Sequence, residues 1–463
     1  MRDFAVGMWV ETQFGKGKIV ALGKGSATVE IERNFGRVTR LRVNFSKMVP
    51  VVDTFSEKEL SSKAATDPVV NISLPSPERI ADLRALHSLR FGLVPYSVLP
   101  DLTCGFSELE TWIKKFLPKG PKERPVVLKI CGPYGTGKSH TMAAVRWIAK
   151  QAGYVTARVE VDGKNVSLSD PKNLLSNLWQ SLGAKNLHSD TPLLTLYHRA
   201  LSKGYGSPHF RSRNFGLPNR ETDRIADNFH TVKLLQQKGL LDKYDVLFDA
   251  VLSCHDEVVP SRLQREIRRE DEIDWRFDNP FVRPMIGRGV AARPNDFIES
   301  LFGHGHICHA AGYKGLVVTI DEFEIELIGA RQRVKRTLEL LIALLTYFEK
   351  NPSAPVLICF ATIETASDKP RSERLIDALV AQSNGDCHEL REMEWADIED
   401  LGRRMQSLYY RAYKIPDVRP APDIGTIWND YSRSLSGKAR SFIKHYMAAL
   451  DARFGPPNGL GDE

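Results

Sequence analysis

One run constrains this chain more than any other: Gly132-Pro133-Tyr134-Gly135-Thr136-Gly137-Lys138-Ser139, which satisfies G-x-x-x-x-G-K-[ST] at every fixed position. Glycines let such a loop curl until successive backbone N–H groups converge on one anion. The lysine then reaches the β and γ oxygens of a nucleotide, and the serine hydroxyl ligates Mg²⁺. Its surroundings fit. Val126 to Cys131 reads as a strand buried on both faces, and His140, Met142, Val145 and Ile148 follow at helical spacing. We expect a strand–loop–helix phosphate site in which Gly132 to Ser139 and the adjoining His140 hold ATP, with Ser139 on Mg²⁺. A plain glycine turn is the alternative.

A phosphate loop of this kind works with a carboxylate delivered at the end of a second buried strand, and Gly315-Leu316-Val317-Val318-Thr319-Ile320-Asp321-Glu322 supplies one. Asp321 is placed to hold magnesium through water, and Glu322 to orient or deprotonate the attacking water. The next strand, Val356 to Ala361, ends in Thr362, with Glu364 and Thr365 beyond. Thr362 either contacts the γ-phosphate or the attacking water, or simply terminates the strand. Arg371 and Arg374 follow on a helix, where an arginine can be offered to a neighbouring subunit's nucleotide or can lie in solvent. Arg440, opening a late helix, can fold back on the phosphates in cis.

The first fifty residues alternate short β-branched or aromatic runs with glycines, as a small β-barrel does. Residues 51–76 turn to Ser, Asp and Pro and read as linker. Residues 77–396 alternate helices with short apolar strands (Val126–Cys131, Tyr154–Val161, Leu316–Ile320, Val356–Ala361 and a weaker Cys387–Met393), which predicts an α/β fold with a mostly parallel sheet. The interval 163–312 exceeds any ordinary crossover and must hold a mainly helical insertion. Within it Asp170-Pro171 opens a helix with an acid cap and proline at the first position. Residues 397–463 read as a helical lid.

The formal net charge of +7 becomes informative once located. Residues 1–50 hold nine Lys or Arg against four acids, so +5 of it sits there, near a glycine-rich hairpin suited to a phosphate backbone. Six dispersed cysteines without a C-x-x-C pair exclude a disulfide framework or a zinc ribbon and read as buried reduced thiols. The run His304, His306, Cys308, His309 lacks the paired spacing of zinc modules. Arg262, Arg265, Arg268 and Arg269, alternating with Glu266 and Glu270, read as a solvated helix face or a nucleic-acid contact. No apolar run reaches the length of a membrane span and the start lacks a signal-peptide pattern, so the expected location is the cytoplasm.

Taken in order, Leu102 to Leu117, the Gly132 loop, Val159 to Leu182, Gly315 to Glu322, the Arg371/Arg374 segment and Gly437 to Leu450 resemble the AAA+ ATPases of the initiator-like branch. More narrowly, the chain is similar to the BREX (bacteriophage exclusion) ATP-binding proteins over about Pro77 to Phe454. That resemblance implies Lys138 and Ser139 as nucleotide and magnesium residues and Asp321 with Glu322 as the Walker B pair. Thr362 departs from the asparagine many AAA+ proteins carry. Residues 1–50 resemble the SH3-like or Tudor-like barrels of helicases and transcription-coupling factors, which bind nucleic acid or polymerase. The expectation is therefore an Mg²⁺-dependent, homo-oligomeric ATPase that acts with double-stranded DNA and other defence proteins. Two alternatives stay open: a nucleotide-gated scaffold with negligible turnover, and a transposition- or replication-type ATPase that loads another enzyme on DNA.

Overall fold

Short β-branched runs separated by glycine become five strands near the N-terminus: β1 (Trp9–Thr12), β2 (Gly15–Gly23), β3 (Ser26–Arg33), β4 (Arg37–Asn44) and β5 (Met48–Pro50). They pair antiparallel in the order β4-β3-β2-β1-β5, with an irregularity between Ile19 and Ala21. Among the described residues β4 and β5 do not pair with each other, so the expected SH3-like barrel is seen here as an antiparallel sheet, not as a closed barrel. The computed structural model describes these strands and residues 76–187, 190–203, parts of 228–252, 293–323, 331–363, 370–416, 419–431 and 437–455. The 51–76 linker apart from its last residue, Glu364, Thr365, Cys254 and the Arg262–Arg269 helix lie outside the described residues. Met1–Leu74 and Pro75–Glu463 form two compact units.

In the larger unit the continuous apolar runs form one parallel sheet: β6 (Val126–Cys131), β7 (Val155–Glu160), β8 (Leu316–Asp321), β9 (Val356–Thr362) and β10 (Cys387–Glu389), in the order β10-β6-β9-β8-β7. All neighbouring pairs are parallel. The fold is thus α/β, compatible with a P-loop protein. Both faces are covered, which is why the central strands β8 and β9 are almost wholly apolar, whereas the edge strands β7 and β10 carry Arg158, Glu160, His388 and Glu389. One face packs on α2 (Phe106–Phe116) and α3 (Lys138–Gln151), through Ile113, Met142, Val145 and Ile148 against Leu128, Ile130 and Val317. The other meets α4 (Pro171–Gln180), α5 (Pro192–Ser202), α6 (Leu241–Leu252), α7 (Pro294–Ala310), α8 (Arg331–Glu349) and α9 (Arg371–Gln382). Four of these, α4 to α7, fall within the interval between β7 and β8 where a helical insertion is expected. As the sequence suggests, Asp170 caps α4 by accepting from Asn173 N at 3.2 Å, with Pro171 at its first position.

A separate apolar cluster joins α1 (Pro77–Arg90) to α10 (Trp395–Tyr413), α11 (Ile424–Tyr431) and α12 (Lys438–Phe454), with Leu86, Leu89, Met405, Tyr409, Phe442 and Tyr446 at its centre. Ion pairs fix it from outside. Arg90 grips Asp451 through Nε and Nη2, both at 2.7 Å, and Arg411 grips Asp82 at 2.8 and 2.9 Å. Helix α1, which precedes the sheet in sequence, is therefore part of the helical bundle at the C-terminal end of the chain.

Candidate functional site

The loop leaving β6 stands at the carboxyl edge of the sheet, where parallel α/β sheets bind ligands. Gly135 and Gly137 take φ of +86° and +95°, a left-handed backbone that most side chains resist. Gly137 then caps α3, so Lys138, Ser139 and His140 are the first residues of that helix and their N–H groups lack helical partners. Lys138 is buried. Its Nζ donates to Gly132 O and Pro133 O, both at 3.2 Å, and Thr136 Oγ1 donates to Pro133 O at 2.9 Å. Tyr134 is exposed. The imidazole of His140 lies 2.7 Å from Thr103 Oγ1, and burial pushes it down to about 4.

Asp321 ends β8. Strand β9 separates β8 from β6, so the carboxylate and the loop face each other across one intervening strand. Alternation along β8 and β9 puts Asp321 and Ala361 on the α3 side, which also carries Ser139, and Ile320, Phe360 and Thr362 on the opposite side. Two oxygen donors of this kind, a hydroxyl and a carboxylate, suit a hard cation such as Mg²⁺. Glu322 follows with φ +57°, and its N–H donates to Asp321 Oδ1 at 3.0 Å. Thr362 pairs in register with Cys131, the residue before Gly132; its Oγ1 is buried and has no hydrogen-bond partner. A buried hydroxyl without a partner is uncommon, and this one stands beside the loop.

Arg371 and Arg374 are exposed at the start of α9. What holds that helix is a charged triad, buried at Lys129 and Glu373: Lys129 Nζ reaches Glu373 Oε1 at 2.9 Å and Asp377 Oδ1 at 2.7 Å. Burial works against the Lys129 charge, yet the bonds from Asp377 and Glu373 outweigh it and its pKa is raised. Arg440 is exposed and lies against Gly92 beyond α1, whose added Cβ would meet Arg440 Cγ at 3.3 Å. From the same helix it is Lys438 that lines the small cavity shared with Tyr134, Gly135, Thr136 and Trp428, its Nζ paired to Glu392 at 3.0 Å.

Sequence spacing missed Lys129, Lys438 and the Thr103–His140 contact, because each partner lies tens to hundreds of residues away. It also missed a close thiol pair, Cys131 Sγ and Cys387 Sγ at 3.2 Å; hydrogen bonding to Cys131 and burial both push the Cys387 thiol up. The histidine run does not converge on a metal: His304 Nδ1 meets Ser300 O at 2.7 Å, whereas His306 Nε2 meets Ser353 O at 3.0 Å. Among the described residues, no helix is long and apolar enough to cross a membrane.

No curated protein matches the chain. Residues 79–192, which span α1, the phosphate loop, α3 and the start of α5 but stop short of Asp321, match the family model described as BREX system ATP-binding protein BrxC/D.

Proposed function

We propose that the chain is an Mg²⁺-dependent ATPase of the AAA+ kind, acting in a DNA-directed complex of bacterial antiphage defence. The observation that carries the ATPase reading is the placement of Gly132–Ser139 between β6 and α3 with Asp321 and Glu322 one intervening strand away. The defence assignment rests on the BREX family match over residues 79–192.

In this reading the N–H groups of residues 135–139 and the α3 N-terminus take up the β-phosphate. Lys138 leaves the carbonyls of Gly132 and Pro133 for the β and γ oxygens. Ser139 and, through water, Asp321 would hold Mg²⁺, which supplies charge neutralisation on the β and γ oxygens. Glu322 takes the proton of the attacking water, and Thr362 Oγ1 positions that water or the γ-phosphate. Arg371 or Arg374 completes the site of a neighbouring copy in a homo-oligomer, while Arg440 would have to turn from Gly92 to reach phosphate in cis. Residues 1–50, with their excess of cations, contact double-stranded DNA.

Steady-state phosphate release, with and without duplex DNA, tests the whole. Magnesium-dependent turnover stimulated by DNA is expected. Tight ATP binding with no turnover would replace this reading with a nucleotide-gated scaffold.

A further inference from the structure

Three side chains on one sheet face gather beside the phosphate loop. In parallel strands, residues paired in register share a face. The pairs Cys387↔Lys129 and Glu389↔Cys131 therefore put Lys129, Cys131, Cys387 and Glu389 on the same side of β6 and β10. Cys131 Sγ and Cys387 Sγ are 3.2 Å apart, and one carboxylate oxygen of Glu389 lies with both sulfurs inside a 4.8 Å sphere of mutual distances. On the next strand over, Thr362 is paired with Cys131, and its buried Oγ1 has no hydrogen-bond partner.

We propose that Cys131, Cys387 and Glu389 bind a zinc-class divalent cation, with water in the fourth position. Sulfur donors select borderline and soft ions over Mg²⁺ or Ca²⁺, so the site is chemically separate from Ser139 and Asp321. Geometry is close to what such an ion needs. Two zinc–sulfur bonds of about 2.3 Å at a tetrahedral angle set the sulfurs about 3.8 Å apart, an opening of about half an ångström from the distance present. Two thiolates would neutralise the incoming dication, and the Glu389 carboxylate would leave the ligand set with one net negative charge on the sheet face that also carries the Lys129 cation. Cys131 leads directly into Gly132, and Leu390 N donates to Cys131 O at 2.8 Å. An ion here ties β10 to the root of the phosphate loop.

The site is tested on the full, reduced, nucleotide-free chain, so its failure is separate from any failure of the ATPase reading. Titration with Co²⁺, a spectroscopic substitute for zinc, is expected to give one equivalent with a thiolate-to-metal charge-transfer band that Zn²⁺ displaces. That band should vanish in Cys387→Ser, whose half-buried position tolerates the change, with unaltered circular dichroism. Glu389→Gln should weaken binding about 10-fold or more. A wild-type chain that shows no such band, or a band that persists in Cys387→Ser, overturns the proposal. So does a chain that is lighter by two hydrogens through a Cys131–Cys387 disulfide and takes up no metal.

Discussion

The backbone N–H of Glu322 donates to Asp321 Oδ1 at 3.0 Å, and Glu322 makes that bond from a left-handed backbone conformation, φ +57°. A non-glycine residue there stores of order 1 kcal/mol of strain, which persists where the surroundings fix it and is concentrated at functional sites. In the ATPase proposed above, that bend lets the two consecutive carboxylates serve different ends, Asp321 on the α3 side and Glu322 beyond the end of the strand.

From that division of labour, Lys138→Ala should weaken ATP binding, because the ammonium neutralises phosphate in the ground state. Glu322→Gln should keep ATP affinity and lower kcat about 100-fold or more. Equilibrium nucleotide binding and phosphate release measure the two separately; undiminished turnover in Glu322→Gln removes its assigned role.

Arg371 and Arg374 stand exposed on α9. Offered in trans, they make mixed assemblies of Arg374→Ala with Glu322→Gln regain part of the activity each lacks alone. Light scattering of the ATP-bound chain should show self-association, and a strictly monomeric state would end this idea.

Glu373→Ala should destabilise the larger unit by about 1.5–3 kcal/mol, since it strips the buried partner from Lys129, whose side chain is only 3% exposed, and leaves Asp377 as its partner. Asp377→Ala should cost less, as that side chain is 36% exposed and Glu373 still pairs the lysine. Denaturant midpoints check the order; equal losses would contradict it.

Burial pushes His140 and His304 down to about 4. Below their unfolded value near 6.5 the unfolded chain binds protons that the folded chain does not, so each residue favours folding above that pH. The contribution falls away between about pH 6.5 and 4, by up to roughly 1.4 kcal/mol per unit and per residue. Chemical unfolding across this range should show the slope, and it should be shallower in His304→Asn.

Deleting residues 1–74 should weaken binding to duplex DNA and flatten its salt dependence, while ATP binding persists because Pro75–Glu463 is compact by itself. Equal DNA binding by both forms at every salt concentration would place the DNA contact elsewhere.

The sheet and the loop were legible because buried parallel strands read as unbroken apolar runs, and the phosphate loop is a contiguous segment. The run Cys387–Met393 is longer than the strand it forms: Cys387–Glu389 makes β10, Leu390 N gives the last bond to Cys131 O, and the chain then leaves the sheet for α10. Helix α1 reads as one more amphipathic helix, and nothing local announces that Leu86 and Leu89 will pack against Met405 and Phe442 far along the chain. The same holds for Lys129, a lysine in mid-strand that only a distant Glu373 and Asp377 make tenable.

Gly135 and Gly437 touch through their main chains: a Cβ on Gly135 would sit 2.6 Å from Gly437 Cα. The Gly132–Ser139 loop is therefore also the seat of the α12 start, and a side chain on Gly135 would press on that seat. Because α12, α10 and α1 share one core, the pressure cannot stop at the bundle's edge. Leu86 and Leu89 lie in that core, so α1 shares the strain. A side chain at Gly135 would therefore loosen the C-terminal bundle as well as the loop, and Gly135→Ala should lower stability even without nucleotide.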